Sequence, residues 1–338
     1  MADRIRWGVL GNATIARKCV IPAIQKSENG RMHALGTRHP ENAETIASQN
    51  GIRNLYDNYE AVLRDRAVDA VYIPLPNHLH HPWTIRALEA GKHVLCEKPM
   101  ALNARQAFEM AQSAEKNGRF LMEGFMYRFH PRSRRIRSLI GRGAIGRPCM
   151  VRSAFCFHMD DATVNQGLNV RMKQDLGGGV LLDVGCYGVS LARWMISREP
   201  EQVQAQAIYH NGGVDIHLVG NLRFPGGALA TLEASFISAL QQTFTVVGKN
   251  AAIDLPHNAF IPWEDDTAFI LRQKDEAIGQ TVVIPGADEY QLMVEHFGDV
   301  VLGYSEPDYH PYDSIRNMQV LDALAQAAKS GQTVRVDN

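Results

Sequence analysis

VDAVYIPLPNHLHHPWTIRALEAGKHVLCEKP, residues Val68 to Pro99, is the stretch whose reading decides the fold. Two short apolar runs flank a helical run of about ten residues, and the second run stops at Glu97-Lys98-Pro99; this is the pattern of a βαβ unit with parallel strands. In a doubly wound parallel sheet, ligands sit outside the carboxyl ends of the strands, so Pro74 to Asn77 and Glu97 to Pro99 are expected at one ligand-bearing rim. Lys98 then ends a buried strand where chemistry is usually done, although a polar pair such as Glu97-Lys98 also ends many strands with no further role.

Upstream, Ile5 to Leu10 reads as a strand, followed by the turn Gly11-Asn12-Ala13-Thr14-Ile15-Ala16 and a helical pattern. Strand, tight turn and helix form the setting in which backbone N–H groups and a helix N-terminus hold a pyrophosphate. The dinucleotide fingerprint is altered: Gly11, Ala13 and Ala16 occupy its three glycine positions. The second strand, Arg31 to Thr37, is followed by Arg38, with no carboxylate until Glu41. A carboxylate there would bind a ribose hydroxyl and repel a 2′-phosphate, whereas Thr37 and Arg38 would bind the phosphate, so NADP(H) is expected over NAD(H). A short strand at Asn54 to Tyr56, the opening stretch, a helix over Ala104 to Asn117 and a strand over Phe120 to Glu123 complete about six parallel strands.

At Gly124 the regular alternation ends, so the domains are expected at 1–123 and 124–338. The second reads as a helix from Arg132 to Gly141, a strand to Phe157, an irregular stretch, then Gly177-Gly178-Gly179 opening a helix to Ile196. A strand-rich region from Gln202 to Ile284 with hairpin turns such as Pro225-Gly226-Gly227 implies an antiparallel sheet, and two helical runs follow. The fold class is α/β: a Rossmann sheet followed by an α+β domain with an open-faced, mainly antiparallel sheet.

Composition limits the function classes. A chain of 338 residues with 35 basic and 36 acidic residues, net −1, lacks the surface of a nucleic-acid binder. The run Arg132 to Arg137 reads as the solvated face of a helix. Five cysteines, odd in number and without C-x-x-C spacing, suit a reducing compartment. No leader pattern or membrane-length apolar run is evident, so a cytoplasmic protein is expected. His78, His80 and His81 have no carboxylate at ligand spacing, so no metal is expected.

Gly11-x-Ala13-x-Ile15-Ala16, Leu75-Pro76-Asn77 with His80, Ala90-Gly91-Lys92-His93-Val94, Glu97-Lys98-Pro99, Tyr127-Arg128 with His130-Pro131, and Gly177-Gly178-Gly179 with Asp183, Gly185 and Tyr187 resemble the glucose-fructose oxidoreductase/inositol dehydrogenase/rhizopine catabolism (Gfo/Idh/MocA) family. Asp183-x-x-x-Tyr187 is similar to the glucose-fructose oxidoreductase, dimeric dihydrodiol dehydrogenase and xylose dehydrogenase branch. The resemblance implies an NAD(P)-dependent oxidoreductase acting on a sugar or cyclic polyol, associating as a homodimer or homotetramer through its C-terminal sheet.

Hydride transfer to or from a carbinol carbon requires a proton to move at the oxygen. Tyr187 can supply it if its pKa falls from about 10, and the Lys98 ammonium would push it that way. Asp183, four residues before Tyr187, is expected to orient Lys98. Gly11, Asn12, Ala13, Thr14, Ile15, Thr37, Arg38, Leu75, Asn77, His80, Glu97 and Lys98 are the expected cofactor contacts, with His80 a wall of the nicotinamide pocket. Asn169 and Arg171 stand where the family contacts substrate, His158 is a rival proton donor, and Tyr127 suits a pocket wall or the core. The glycines would let the helix N-terminus approach a ligand closely. A non-catalytic dinucleotide-sensing regulator on the same fold, or an enzyme of the dihydrodiol dehydrogenase type, are the rival readings.

Overall fold

The computed structural model describes residues 4–166, 169–211 and 213–337. The chain divides into two compact units, 1–126 with 288–315, and 127–287 with 316–338.

In the first unit, six parallel strands, β1 (Ile5–Leu10), β2 (Gly30–Gly36), β3 (Asn54–Tyr56), β4 (Ala70–Ile73), β5 (His93–Cys96) and β6 (Leu121–Glu123), lie in the order β3-β2-β1-β4-β5-β6. Trp7, Val9, Val71, Tyr72, Ile73, Val94 and Leu95 are all fully buried, because helices on both faces of a parallel sheet leave no polar side for its strands. The order reverses between β1 and β4, which is the ligand crevice of such sheets. The helix His80–Glu89 joins β4 to β5, and Asn103 caps the helix Ala104–Asn117 by accepting the Gln106 N–H at 3.0 Å.

The segment 288–315, expected in the second domain, belongs to this first unit. Its helix Glu289–Val301 sets Phe297 against Trp7 and Phe120, with ring centroids 4.8 and 5.1 Å away. Helical periodicity marks an apolar face but not the sheet that receives it.

The second unit has nine strands: β7 (Pro148–His158), β8 (Gln202–Tyr209), β9 (Asp215–Arg223), β10 (Leu229–Ser235), β11 (Ile237–Gly248), β12 (Ala251–Leu255), β13 (Thr267–Gln273), β14 (Gln280–Ile284) and β15 (Val334–Arg335). Their order is β14-β13-β12-β11-β7-β10-β9-β8-β15; β10 runs parallel to β7 and the other pairs are antiparallel. Leu232 and Ala234 are buried on one face, while Val219, Asn221, Arg223 and Glu233 on the other are exposed. The stretch Gln174–Ile196 is long and apolar enough to cross a membrane, but it is largely buried inside the protein.

Two further expectations fail here. A short helix, Asp161–Gln166, occupies part of the stretch read as irregular. Arg132 is not on a solvated face: it is fully buried, donating to Thr267 Oγ1 at 2.6 Å and to the carbonyls of Asn258 and Ala259 at 2.8 and 2.7 Å. Those acceptors lie more than a hundred residues downstream, beyond the reach of a local charge pattern.

Candidate active site

Parallel pairing brings the carboxyl ends of β1, β2, β4 and β5 to one rim, with Leu10 opposite Gly36 and Ile73 opposite Cys96. Gly11 has φ +116° and donates its N–H to Gly36 O at 2.8 Å; a Cβ there would come within 2.9 Å of Leu75 Cδ2, so only glycine fits. Asn12 donates Nδ2–H to Asn42 O at 2.9 Å, while its Oδ1 is buried with no hydrogen-bond partner. The carbonyl of Ala13 accepts the Arg17 N–H at 3.1 Å, Thr14 is exposed and Ile15 half-buried. The chain then enters a widened π turn, Ala16–Val20, and the helix Ile21–Lys26. A tight turn and the backbone N–H groups at the start of the helical segment fit a dinucleotide phosphate, whereas the orphaned Asn12 Oδ1 is an acceptor that would need a donor such as a hydroxyl.

At the end of β2, Thr37 is buried and its Oγ1 accepts the His39 N–H at 3.2 Å. Arg38 is exposed and has no hydrogen bond or ion pair among the described residues.

The loops after β4 and β5 are tied together. His80 is fully buried, with Nε2 2.7 Å from Leu75 O and Nδ1 2.8 Å from Pro99 O. Both ring nitrogens are therefore engaged by backbone, and His80 is a strut between loops rather than the pocket wall expected. Burial pushes its pKa down to about 4, against the two carbonyls. In the neutral ring only one nitrogen donates, and the other abuts a carbonyl without a proton. Tyr72, fully buried one strand away, donates its hydroxyl to Glu97 Oε1 at 2.7 Å. Burial and the Glu97 charge hold that phenol well above its ordinary range. The Met100 N–H donates to the buried carboxylate of Glu123 at 2.8 Å, which fixes the chain beyond Pro99. Lys98 and Asn77 are half-buried at this rim. His81 lies 2.9 Å from Glu109, a carboxylate that local spacing did not reveal. Among the described residues no three His, Cys, Asp or Glu side chains converge on a metal position.

In the second unit, Asp183 lies in a widened π turn, Leu181–Gly185, which leads into the helix Cys186–Ile196. Its Oδ2 accepts from Arg171 Nε at 2.7 Å. Asp183 and, less strongly, Tyr187 raise the pKa of the Arg171 guanidinium, which is 42% exposed. Asn169 Oδ1 accepts the Arg171 N–H at 3.0 Å and so caps the short turn Val170–Met172.

The glycines admit protein rather than ligand. A Cβ on Gly178 would meet Arg171 O at 2.4 Å, and one on Gly179, where φ is +113°, would meet Asp215 Oδ1 at 2.1 Å. Asp215 accepts the Leu181 N–H at 2.7 Å and covers the helix start; burial raises its pKa. Asp215 and Tyr72 are the positioning residues that the sequence reading missed, and no local motif marks either.

Tyr187 is buried among Phe155, Phe260 and Tyr127, with ring centroids at 5.3, 5.4 and 5.8 Å. Tyr127 is fully buried with its hydroxyl 2.8 Å from Ser190 Oγ, so it belongs to the core and not to a substrate wall. His158 is exposed at the end of β7 rather than packed in the core.

Comparison with known proteins agrees with this geometry. Residues 5–125 match the oxidoreductase family with an NAD-binding Rossmann fold, and residues 133–254 match the Gfo/Idh/MocA C-terminal domain. The chain is 35% identical over 332 residues to D-xylose 1-dehydrogenase (NADP(+)) 2 of Haloferax volcanii, covering 98% of this chain and 99% of that protein. It is 30% identical to a trans-1,2-dihydrobenzene-1,2-diol dehydrogenase of Xenopus tropicalis, covering 80% and 79%. A 3-ketoreductase from Actinomadura kijaniata, solved in complex with NADP and TDP-benzene, superposes with a TM-score of 0.87 at 28% identity over 96% of this chain and 98% of that one. The chain therefore belongs to the Gfo/Idh/MocA family and is an NAD(P)-dependent oxidoreductase.

Proposed function

We propose that this oxidoreductase prefers NADP(H) and acts on a secondary alcohol or carbonyl of a sugar or cyclic polyol. The observation that carries the reading is the position of Lys98: it follows β5 at the rim where the Gly11 turn and the β4 loop also end, braced by His80 and by the Tyr72–Glu97 bond. A fixed ammonium at that rim is what proton handling beside a nicotinamide requires.

The cofactor, when bound, supplies or accepts the hydride. Gly11, Asn12, Ala13, Thr14 and Ile15 hold its pyrophosphate, and Thr37 and the unpaired Arg38 hold the 2′-phosphate. Leu75, Asn77, Glu97 and Lys98 flank the nicotinamide, with His80 fixing their loops. Tyr187 gives or takes the proton at the substrate oxygen, and Lys98 lowers its pKa. Asp183 holds Arg171, whose remaining N–H groups, with Asn169, receive the hydroxyls of a polyol. The names of the xylose and dihydrodiol dehydrogenases support this substrate class. The exposed strand face carrying Val219, Leu229 and Glu233 suits a homodimer or homotetramer, and five free cysteines suit a reducing cytoplasm.

Nicotinamide absorbance followed against aldoses, ketosugars and cyclic diols, with NADP and NAD in parallel, tests the proposal. Turnover of an aldose or ketosugar is the expected result. Turnover of cyclic diols alone would move the enzyme to the dihydrodiol class. Cofactor binding without turnover of any of them would favour a dinucleotide sensor.

A further inference from the structure

At the opposite, amino-terminal rim of the six-stranded sheet there is a cavity of about 1120 Å³. Arg4, Arg6, Arg31, Arg66, Lys92 and Arg119 line it, against two carboxylates, Glu28 and Asp69. Asp69 is already neutralised by Arg6, which reaches it through Nε at 2.8 Å and Nη2 at 2.6 Å. Among the described residues Arg4, Arg31 and Arg66 have no hydrogen bond or ion pair. Lys92 is buried and donates to the carbonyls of Asp65 and Val68 at 2.7 and 2.8 Å, which leaves one of its three N–H groups. His93 Nδ1 accepts the Phe120 N–H at 2.9 Å, and Arg119 Nη1 lies 3.5 Å from its Nε2.

Helix dipoles do not account for this concentration of charge. In a parallel α/β sheet the helix carboxyl ends converge on this rim and favour cations, but the effect fades within a turn. The last turns already carry Lys26, Arg64, Arg86 and Lys116. Arg66 and Arg119 directly follow the helix C-caps Asp65 and Gly118, but Arg4 precedes β1 and Arg31 lies in β2, and these two answer to no helix end. Guanidinium groups around a concave site are the usual partners of phosphate, which they bind bidentately. Among the described residues no Phe, Tyr or Trp lines the cavity to stack a nucleobase. We propose that this rim is a second ligand site, distinct from the nucleotide crevice, for a small non-nucleotide molecule carrying two or more phosphate groups.

Calorimetric titration of the NADP-saturated protein with inorganic tripolyphosphate and with a hexose bisphosphate tests the site while the nucleotide crevice is filled. Saturable binding at one site per chain is expected. It should weaken by at least about tenfold in an Arg31→Ser, Arg66→Ser double variant that still binds NADP normally. The two titrants separate a sugar phosphate from a free polyphosphate as the tighter ligand. Absence of saturable binding, binding unchanged in the double variant, or equal competition by sulfate, which would mean an adventitious ion only, would each overturn the proposal.

Discussion

At its carboxyl rim the six-stranded sheet ends in a small-residue turn at Gly11, a lone exposed arginine at Arg38 and two loops tied by His80; at its amino rim the same strands start beside five arginines and a lysine. The first rim is organised by backbone: N–H groups, carbonyls and a buried imidazole set its shape, and charge is placed singly. The second is organised by side-chain charge around a cavity. One sheet thus offers preorganised dipoles at one end and a diffuse positive field at the other, which suit bound chemistry and anion capture respectively.

The two rims share one feature, a histidine pushed to a pKa of about 4: His80 at the carboxyl rim and His93 at the start of β5, both mainly by burial. His130 in the second unit is the third, also at about 4, through burial and then the Arg132 charge. In the unfolded chain each would bind a proton near pH 6.5, while the folded chain stays neutral until about 4. The unfolded state therefore binds more protons on acidification, and stability falls between those values by up to about 1.4 kcal/mol per pH unit for each histidine. Denaturant unfolding at pH 7 and pH 5 should differ by several kcal/mol, and His93→Gln should reduce the slope by roughly the share of one histidine. A slope unaffected by His93→Gln would mean that the amino-rim histidine titrates alike in both states.

Catalysis separates the rims. Lys98→Met and Tyr187→Phe should each lower kcat by about 100-fold or more, with a double variant little worse than Lys98→Met, because groups that act as a unit are not additive. Arg66→Ser, at the other rim, should leave kcat unchanged. Near-normal turnover in Tyr187→Phe would move proton donation to Lys98 or to His158.

Arg38 and Arg31 lie near opposite ends of β2 and give a finer comparison. Arg38→Ala should weaken NADP binding by roughly 1.5 to 3 kcal/mol and leave NAD binding alone. Arg31→Ala should change neither, as measured by nucleotide titration of the two variants. Equal affinity of the unmutated protein for both cofactors would remove the role assigned to Arg38.

The contrast also explains what a reader of the sequence can and cannot recover. The carboxyl rim was legible because each of its loops follows directly from an apolar strand: LPN after β4, EKP after β5 and the Gly11 turn after β1 are local signals. The amino rim was not, because Arg4, Arg31, Arg66 and Arg119 are dispersed over four connections, and only the strand order gathers them. The same limit hid the partner of the glycines. Gly179 signals close approach, but Asp215, which makes that approach, is 36 residues away on β9. The sequence reading gave Asp183 the task of orienting Lys98 and did not foresee its bond to Arg171, which comes from a loop whose path no periodicity describes.

The smallest effect concerns Asp69, one of the two carboxylates that temper the amino rim. Asp69 accepts three N–H bonds from Arg6, one from its backbone at 2.9 Å and two from its guanidinium at 2.8 and 2.6 Å. Burial by itself would raise the Asp69 pKa, but the bonds to Arg6 and the charges of Arg6 and Lys92 outweigh it and lower the value. The ionised form is thus the stabilising one, present above the ordinary carboxylate range and lost as the pH falls through the lowered value. The two side chains are 34% and 31% exposed, so solvent screens the pair and its worth is small. Asp69→Asn should therefore cost only about 1 kcal/mol at neutral pH, since the amide can still accept from the Arg6 backbone. The same change releases the Arg6 guanidinium and removes a negative charge from the cavity wall, so tripolyphosphate should bind roughly threefold or more tightly to a slightly less stable protein. Stability and affinity moving in opposite directions is the signature of a rim whose charge is kept for a ligand. Were both to fall together, Asp69 and its arginine would be a structural pair and the positive field would lie elsewhere.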